Sequence, residues 1–207
     1  MKHKLTVALI LSAMLMLMSG CGSKIDSTTI EVHKNGEVTH TIVEAFDTQG
    51  SSLTDLEAMI RSQIDAFAQS NPGAEITLES VESEGESGVK VVMTYEDVAT
   101  FSNFNNAAVE TPAVCFYGTV EDAYSAGIDV SSLSFAKVDS DETFTGDAVL
   151  SMGESTVFLY DNAMNNGQSV TVILPKKIAY YTDGVTVSGK NAVIGSGGGT
   201  TVCVIQK

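Results

Sequence analysis

Residues 29–45 read TIEVHKNGEVTHTIVEA and predict the first folded element of the chain. Two runs in which β-branched and polar residues alternate, residues 29–34 and 37–45, lie on either side of Asn35-Gly36. Asn-Gly favours a two-residue type I′ turn, because both central residues of that turn need a positive φ angle. The segment therefore predicts a β-hairpin with Asn35 and Gly36 as its turn.

A long helix is predicted after this hairpin. Thr54-Asp55-Leu56-Glu57 has the pattern of a capping box, in which a hydroxyl and an acidic side chain satisfy free backbone N–H groups at the helix start. Apolar residues then recur at helical spacing as far as Asn71-Pro72-Gly73, namely Leu56, Ile60, Ile64 and Phe67. We expect an amphipathic helix that packs on one face.

Two further strands and a short helix complete the first half of the chain. Residues 75–81 and 89–95 alternate as strands do, with an acidic loop between them, and residues 96–104 have helical spacing. The predicted order is strand, strand, helix, strand, strand, helix.

The second half is predicted to consist mostly of strands. A strand at residues 113–117 is followed by a short helix, residues 120–126, which Thr119 caps and Gly127 closes. From Glu142 onward the periodicity is of the strand type, in runs at residues 156–160, 169–174, 177–181, 185–187, 192–194 and 200–205. We predict an α+β protein with an antiparallel α+β module at residues 30–108 and a β-rich, meander or sandwich-like module at 109–207.

The N-terminus predicts export. A short positive start is followed by an apolar run over residues 5–18, which is the layout of a secretory leader and is too short to span a bilayer. Met18-Ser19-Gly20-Cys21 resembles the lipobox of bacterial lipoproteins. The resemblance implies cleavage after residue 20, lipidation of Cys21 and attachment to the extracytoplasmic face of the cell membrane. The polar residues that follow, Gly22-Ser23-Lys24 and Ser27-Thr28-Thr29, predict a flexible tether over residues 21–29.

The composition excludes one class of partner. The chain has a net charge of −15, which becomes −17 when the leader and its Lys2 and Lys4 are removed. Nucleic acid is an unlikely partner for such a chain, because the electrostatic term that dominates its binding would be repulsive. The nearest basic feature is Lys176-Lys177 alone.

Two cysteines remain after lipidation, Cys115 and Cys203, each in an apolar strand-like run. They form a disulfide if those two strands are neighbours, since the cell exterior is oxidising, and otherwise act as two small buried hydrophobes.

The strongest candidate for a metal-binding site in the sequence lies on the first hairpin. With Asn35 and Gly36 as the two turn residues, Glu31 faces His40 and His33 faces Val38, which places Glu31, His33 and His40 on one face. Two imidazoles and a carboxylate are a donor set for a divalent metal. The alternative is that they are ordinary polar residues on the solvated face of the hairpin.

Other motifs do not support catalysis. Ser134-Phe135-Ala136-Lys137 has the spacing of a penicillin-binding motif but falls in a strand-like run. The loop that begins Asp139-Ser140-Asp141-Glu142 departs from a calcium-binding EF-hand at its sixth and twelfth places, Phe144 and Leu150. We therefore predict no catalytic residue and no cofactor.

The chain resembles a group of uncharacterised lipoproteins from Gram-positive anaerobes. The resemblance rests on the long helix, on Lys34-Asn35-Gly36 and residues 41–46 of the hairpin, and on Phe116-Tyr117-Gly118-Thr119-Val120 with Ala123-Tyr124-Ser125-Ala126-Gly127. That resemblance implies location and the order of the elements, not an activity. Three functions remain open. The first is a surface module that binds an envelope component, a peptide, a glycan or another protein. The others are an accessory subunit of an envelope complex and an extracellular hydrolase that uses paired carboxylates.

Overall fold

The computed structural model describes residues 27–46, 52–85, 87–107, 112–165, 168–196 and, for the backbone only, 200–205. The predicted leader, the lipidation site Cys21 and residues 21–26 of the predicted tether lie outside the described residues. Within the described ranges, none of the helices combines the length and the apolar composition that crossing a membrane requires.

The first half follows the predicted order of elements. Its strands and helices are β1 (Thr29–Val32), β2 (Val38–Ala45), α1 (Leu53–Ser70), β3 (Ile76–Glu84), β4 (Gly88–Tyr95) and α2 (Val98–Asn106). The start of α1 differs from the prediction. Ser52 is the N-cap and forms a capping box with Asp55, whereas Thr54 lies inside the first turn. Helix α1 begins earlier than expected because the Ser52 hydroxyl accepts from the Asp55 N–H and the Asp55 carboxylate accepts from the Ser52 N–H. The cap is therefore at Ser52 rather than at Thr54.

The second half contains the predicted strands and three elements that the periodicity did not reveal. Its elements are β5 (Cys115–Thr119), α3 (Val120–Ser125), β6 (Ser134–Lys137), β7 (Thr143–Thr145), α4 (Gly146–Leu150), β8 (Thr156–Asp161), a 3-10 turn (Asn162–Asn165), β9 (Val170–Ile173), β10 (Ile178–Thr182), β11 (Val185–Ser188), β12 (Asn191–Ile194) and β13 (Thr200–Ile205). Helix α3 has the predicted cap, since Thr119 and Asp122 form a capping box. The additions are β7, α4 and the 3-10 turn, which are too short for their periodicity to show.

The strands form two sheets. The seven-stranded sheet has the order β11-β12-β9-β1-β2-β4-β3, and the six-stranded sheet has the order β5-β8-β13-β10-β6-β7. The pair β1 and β9 is parallel, whereas the other strand pairs in the described part of the chain, β2 with β4 among them, are antiparallel. With helices and a β-rich C-terminal part, the protein has the predicted α+β class.

Strands from both predicted modules belong to the seven-stranded sheet. Strands β9, β11 and β12, from the C-terminal half, continue the sheet that begins with the N-terminal hairpin. The larger core cluster likewise contains buried residues of both halves, such as Ile30, Tyr95, Phe158 and Val172. The two halves therefore share one core, a point that the sequence left open.

The register of the first hairpin is not the predicted one. Ile30 pairs with His40 and Glu31 with Thr39, so each residue of β1 is displaced by one from the expected partner. The cause is a three-residue loop, Lys34-Asn35-Gly36, closed by a hydrogen bond from the Gly36 N–H to the His33 carbonyl. Gly36 has φ of 93°, and a single glycine with positive φ at the end of such a loop is the alternative to a type I′ turn.

Candidate ligand-binding cleft

A cleft of about 400 Å³ lies where three segments of the chain meet. These segments are the loop after β6, the chain that leads into β10, and the turn between β11 and β12. Because β11 belongs to the seven-stranded sheet and β6 and β10 to the other, the cleft lies at the junction of the two sheets. Its lining consists of Lys137, Val138, Asp139, Lys177, Ile178, Ala179, Tyr180 and Gly189.

Backbone hydrogen bonds connect the three segments. The Val138 N–H donates to the Ala179 carbonyl at 2.9 Å, and the Ile178 N–H donates to the Gly189 carbonyl at 2.9 Å. Gly189 has φ of 63° and is the first central residue of a two-residue hairpin turn, a position where glycine is preferred. The cleft is therefore built on paired backbone rather than on a free loop.

Lys137 and Tyr180 form one side of the cleft. They are directly opposed partners on β6 and β10, and the buried ring of Tyr180 packs edge-on against Phe144. The Lys137 Nζ forms a salt bridge of 3.0 Å with the Glu142 carboxylate across the hairpin loop. The hydrogen bond and the negative charge of Glu142 raise the pKa of Lys137, so this ammonium is charged and already compensated.

Lys177 and Asp139 have no such compensation. Both side chains are exposed, and neither takes part in a salt bridge with any residue that the structure describes. Asp139 has φ of 58° and is the only non-glycine residue with positive φ in the described ranges. Aspartate is one of the few residues that adopt this left-handed conformation readily. The cleft therefore contains one ammonium and one carboxylate that are free to meet a ligand.

The few basic residues of this acidic chain concentrate around the cleft. Of the seven lysine and arginine residues in the described ranges, Lys137 and Lys177 line the cleft and Lys176 and Lys190 adjoin lining residues. The whole chain has a net charge of −15. The region is thus much less negative than the average of the surface, and acidic groups of a ligand meet less repulsion here than elsewhere.

The structure does not bring the predicted metal ligands together. Glu31 and His33 lie on the outer face of the hairpin, with His33 Nδ1 3.8 Å from a Glu31 carboxylate oxygen and His33 Nε2 2.9 Å from the Thr39 hydroxyl. The one-residue change of register places His40 on the inner face, opposite Ile30. In the described part of the chain, no three histidine, cysteine or acidic residues form a group that could hold a metal ion.

His40 is instead a core residue. Its side chain is buried, its ring lies edge-on to Phe101 of α2, and no described group forms a hydrogen bond with its Nδ1. Burial lowers the pKa of His40 from 6.5 to about 4, because the charged imidazolium loses its hydration. His40 is therefore neutral at pH 7.

Threonine side chains dominate the outer face of the seven-stranded sheet, to which Glu31 also belongs. Alternate strand residues point away from the core and are partly or fully exposed. The strand pairings align them in rows, for example Thr77 with Thr94 and Thr94 with Thr39. The threonines of this face are Thr29, Thr39, Thr41, Thr77, Thr94, Thr171 and Thr186.

The backbone separates the two cysteines. Cys115 pairs with Tyr160, and Cys203 pairs with Phe158, so β5 and β13 flank β8 on opposite sides. Strands two positions apart in a sheet are about 9–10 Å from each other, beyond the roughly 7 Å that a disulfide spans between Cα atoms. Cys115 is a buried free thiol.

The structure places the other residues considered for a functional role in strands and in the core. Ser134 and Lys137 lie on strand β6 rather than on one helical turn, so they do not form a penicillin-binding pair. Tyr180 and Tyr181 are adjacent residues of β10, so their side chains point to opposite faces and pack in different core clusters. The sequence did not predict the cleft, because its lining residues come from three segments that are separate in the chain. The only feature of these segments that stood out in the sequence was the basic pair Lys176-Lys177.

Comparisons with protein-family models, with curated proteins and with solved structures find no match to this chain. The class that the structure defines is an α+β fold with two sheets and a cleft at their junction.

Proposed function

We propose that the protein is a lipoprotein, anchored through Cys21 to the extracytoplasmic face of the cell membrane, and that its folded domain is a surface binding module. The anchor is supported by the leader-like residues 1–20 and by the lipobox pattern that ends at Cys21. The acidic composition supports a partner other than nucleic acid.

The single observation that carries the binding role is the cleft at the junction of the sheets. Ligand sites are concave, mix apolar walls with a few placed polar groups, and commonly occupy 300–1,000 Å³. The cleft, with a volume of about 400 Å³, combines apolar Val138 and Ile178 with the charged groups of Lys177 and Asp139.

The two alternative functions predict different observations. A hydrolase with paired carboxylates needs two of them about 5–9.5 Å apart, whereas Asp139 is the only carboxylate among the residues that line this cleft. An accessory subunit of an envelope complex predicts a stable protein partner and an unoccupied cleft.

The anchor is tested by metabolic labelling with a palmitate analogue in a bacterial host that expresses the full chain. We expect label and membrane association in the wild type and in Cys203→Ser, and loss of both in Cys21→Ser. Equal labelling of Cys21→Ser, or an unlabelled wild type, would disprove the lipid anchor.

Binding is tested on the full-length chain purified in detergent. A thermal-shift panel covers amino acids, peptides, sugars and cell-wall fragments, because a compound that binds only the native state must raise the unfolding midpoint. Positive compounds are then mapped by NMR, and we expect the backbone amides of Val138, Ile178 and Gly189 to shift. A flat panel, or shifts confined to other surfaces, contradicts the assignment of the cleft.

A further inference from the structure

We propose that the cleft binds a zwitterionic ligand, a free amino acid or a short peptide, with the ligand carboxylate at Lys177 and the ligand ammonium at Asp139. The inference rests on the proposed function, because it names the chemical class of the ligand for the same cleft.

The charges of the lining carry the argument. Lys137 is compensated by Glu142 at 3.0 Å, so its ammonium has a partner before any ligand arrives. Lys177 and Asp139 are opposite in sign, line the same cleft and form a salt bridge neither with each other nor with another described residue. A ligand with one carboxylate and one ammonium offers a partner of opposite charge to each of the two groups.

Ligands of a single charge sign fit this lining less well. A simple anion at Lys177 also meets the carboxylate of Asp139 and a chain whose net charge is −15. A simple cation is attracted by the net charge of the chain, but at Asp139 it meets the ammonium group of Lys177. A zwitterion has no net charge, so it approaches the acidic surface without a net repulsion and gains both local contacts.

The rest of the lining suits the body of such a ligand. Among the lining residues, the partly exposed Val138 and Ala179 supply apolar contact for a side chain, whereas Ile178 and Tyr180 are buried. Paired backbone holds the loop of Asp139 and the chain next to Lys177 in place, since Val138 donates to Ala179 and Ile178 donates to Gly189. The two charged groups are therefore presented from segments that are fixed relative to each other.

The test uses four matched forms of two probes. Phenylalanine and alanylphenylalanine are each titrated as the free zwitterion, the N-acetyl form, the C-terminal amide and the doubly capped form. Binding to the full-length chain is measured by NMR through the amides of Ile178 and Gly189. We expect the zwitterion to bind most tightly, each single cap to weaken binding about tenfold, and the doubly capped form to bind least.

Two variants that each remove one charge test which side chain binds the ligand carboxylate and which binds the ligand ammonium. We expect Lys177→Gln to weaken the zwitterion and the N-acetyl form about tenfold and to leave the amide form unchanged. We expect Asp139→Asn to weaken the zwitterion and the amide form about tenfold and to leave the N-acetyl form unchanged. Asparagine tolerates the positive φ of this position. Lys176→Gln and Asp141→Asn are the controls, since each is the exposed neighbour of the same segment and lies outside the lining.

The outcomes separate this inference from the proposed function. If the capped forms bind as tightly as the zwitterion, or if only another class of compound shifts the cleft amides, the zwitterion inference is wrong and the binding function stands. If no compound of any class shifts these amides, both proposals fail together.

Discussion

The ring of His40 meets the ring of Phe101 edge-on, with centroids 5.2 Å apart and ring planes at 89°. The contact joins β2 to α2 inside the larger core, where Phe101 also packs against Tyr95. It exists because the three-residue hairpin loop turns His40 inward, and it replaces a predicted metal ligand by a neutral core histidine.

The buried imidazole makes stability depend on pH. His40 has a pKa of about 4 in the folded protein and about 6.5 in the unfolded chain, so between these values only the unfolded chain binds the proton. The free energy of unfolding should therefore fall as the pH drops below 6.5, by about 3 kcal/mol at pH 4. Urea unfolding between pH 7.5 and 4 measures this slope.

Two variants isolate the contribution of His40. His40→Leu should flatten the slope between pH 6.5 and 4, whereas His33→Gln should keep it, because His33 lies on the outer face. An NMR titration of the wild-type His40 ring gives an independent reading, and a value near 6.5 would refute the prediction without any variant.

The start of α1 distinguishes the observed cap from the predicted one. Ser52→Ala removes the hydroxyl that accepts from the Asp55 N–H at 3.1 Å, and we expect a loss of about 1 kcal/mol in the free energy of unfolding. Thr54→Ala alters an exposed residue inside the first turn and should be neutral or slightly stabilising. Chemical denaturation of both variants measures the two free energies of unfolding. A larger loss of stability in Thr54→Ala than in Ser52→Ala would show that Thr54 is the N-cap, as the sequence predicted.

Gly146 is required for close packing of backbone at the start of α4. A Cβ atom at this position would overlap the Val130 carbonyl oxygen and the backbone of Ser131, neither of which is a flexible side chain. We expect Gly146→Ala to destabilise the protein by about 2 kcal/mol or more. Gly153→Ala is the matched control, since its Cβ would have open space, and thermal unfolding of the pair should separate them.

Cys115 should be unreactive in the native protein. Burial raises the pKa of its thiol, and the thiolate is the reactive form. We expect Cys115 to resist a thiol reagent at pH 8 and to react when the chain is unfolded in guanidinium chloride. Non-reducing mass spectrometry after alkylation in denaturant should show both Cys115 and Cys203 modified. A Cys115–Cys203 disulfide would contradict the strand order.

Periodicity predicted most elements because burial of alternate residues acts locally. The strands near residues 156–160, 185–187 and 200–205 lie where alternation placed them, within one residue at their ends. Helix α4 was not predicted, because its five residues are too few for helical spacing of apolar residues to be recognised. The hairpin loop was not predicted either, since Asn-Gly is compatible with both a two-residue and a three-residue connection.

Sequence patterns that extend over a few residues could not predict the candidate cleft. Lys137, Lys177 and Gly189 are distant in sequence, and their meeting depends on how β6, β10 and β11 are placed in two different sheets. Nothing in the spacing of these residues indicates that they share a surface.

The sequence by itself determined the α+β class, the alternation of the strands, the Thr119 cap of α3 and the hairpin at the start of the domain, because backbone sterics and the burial of one face act over a few residues. Only the tertiary structure decided the parallel pairing of β1 with β9, the inward position of His40, the separation of Cys115 from Cys203 and the charged cleft. Those features depend on contacts between residues far apart in the chain, and their stability comes from the packing of the whole core rather than from any local pattern.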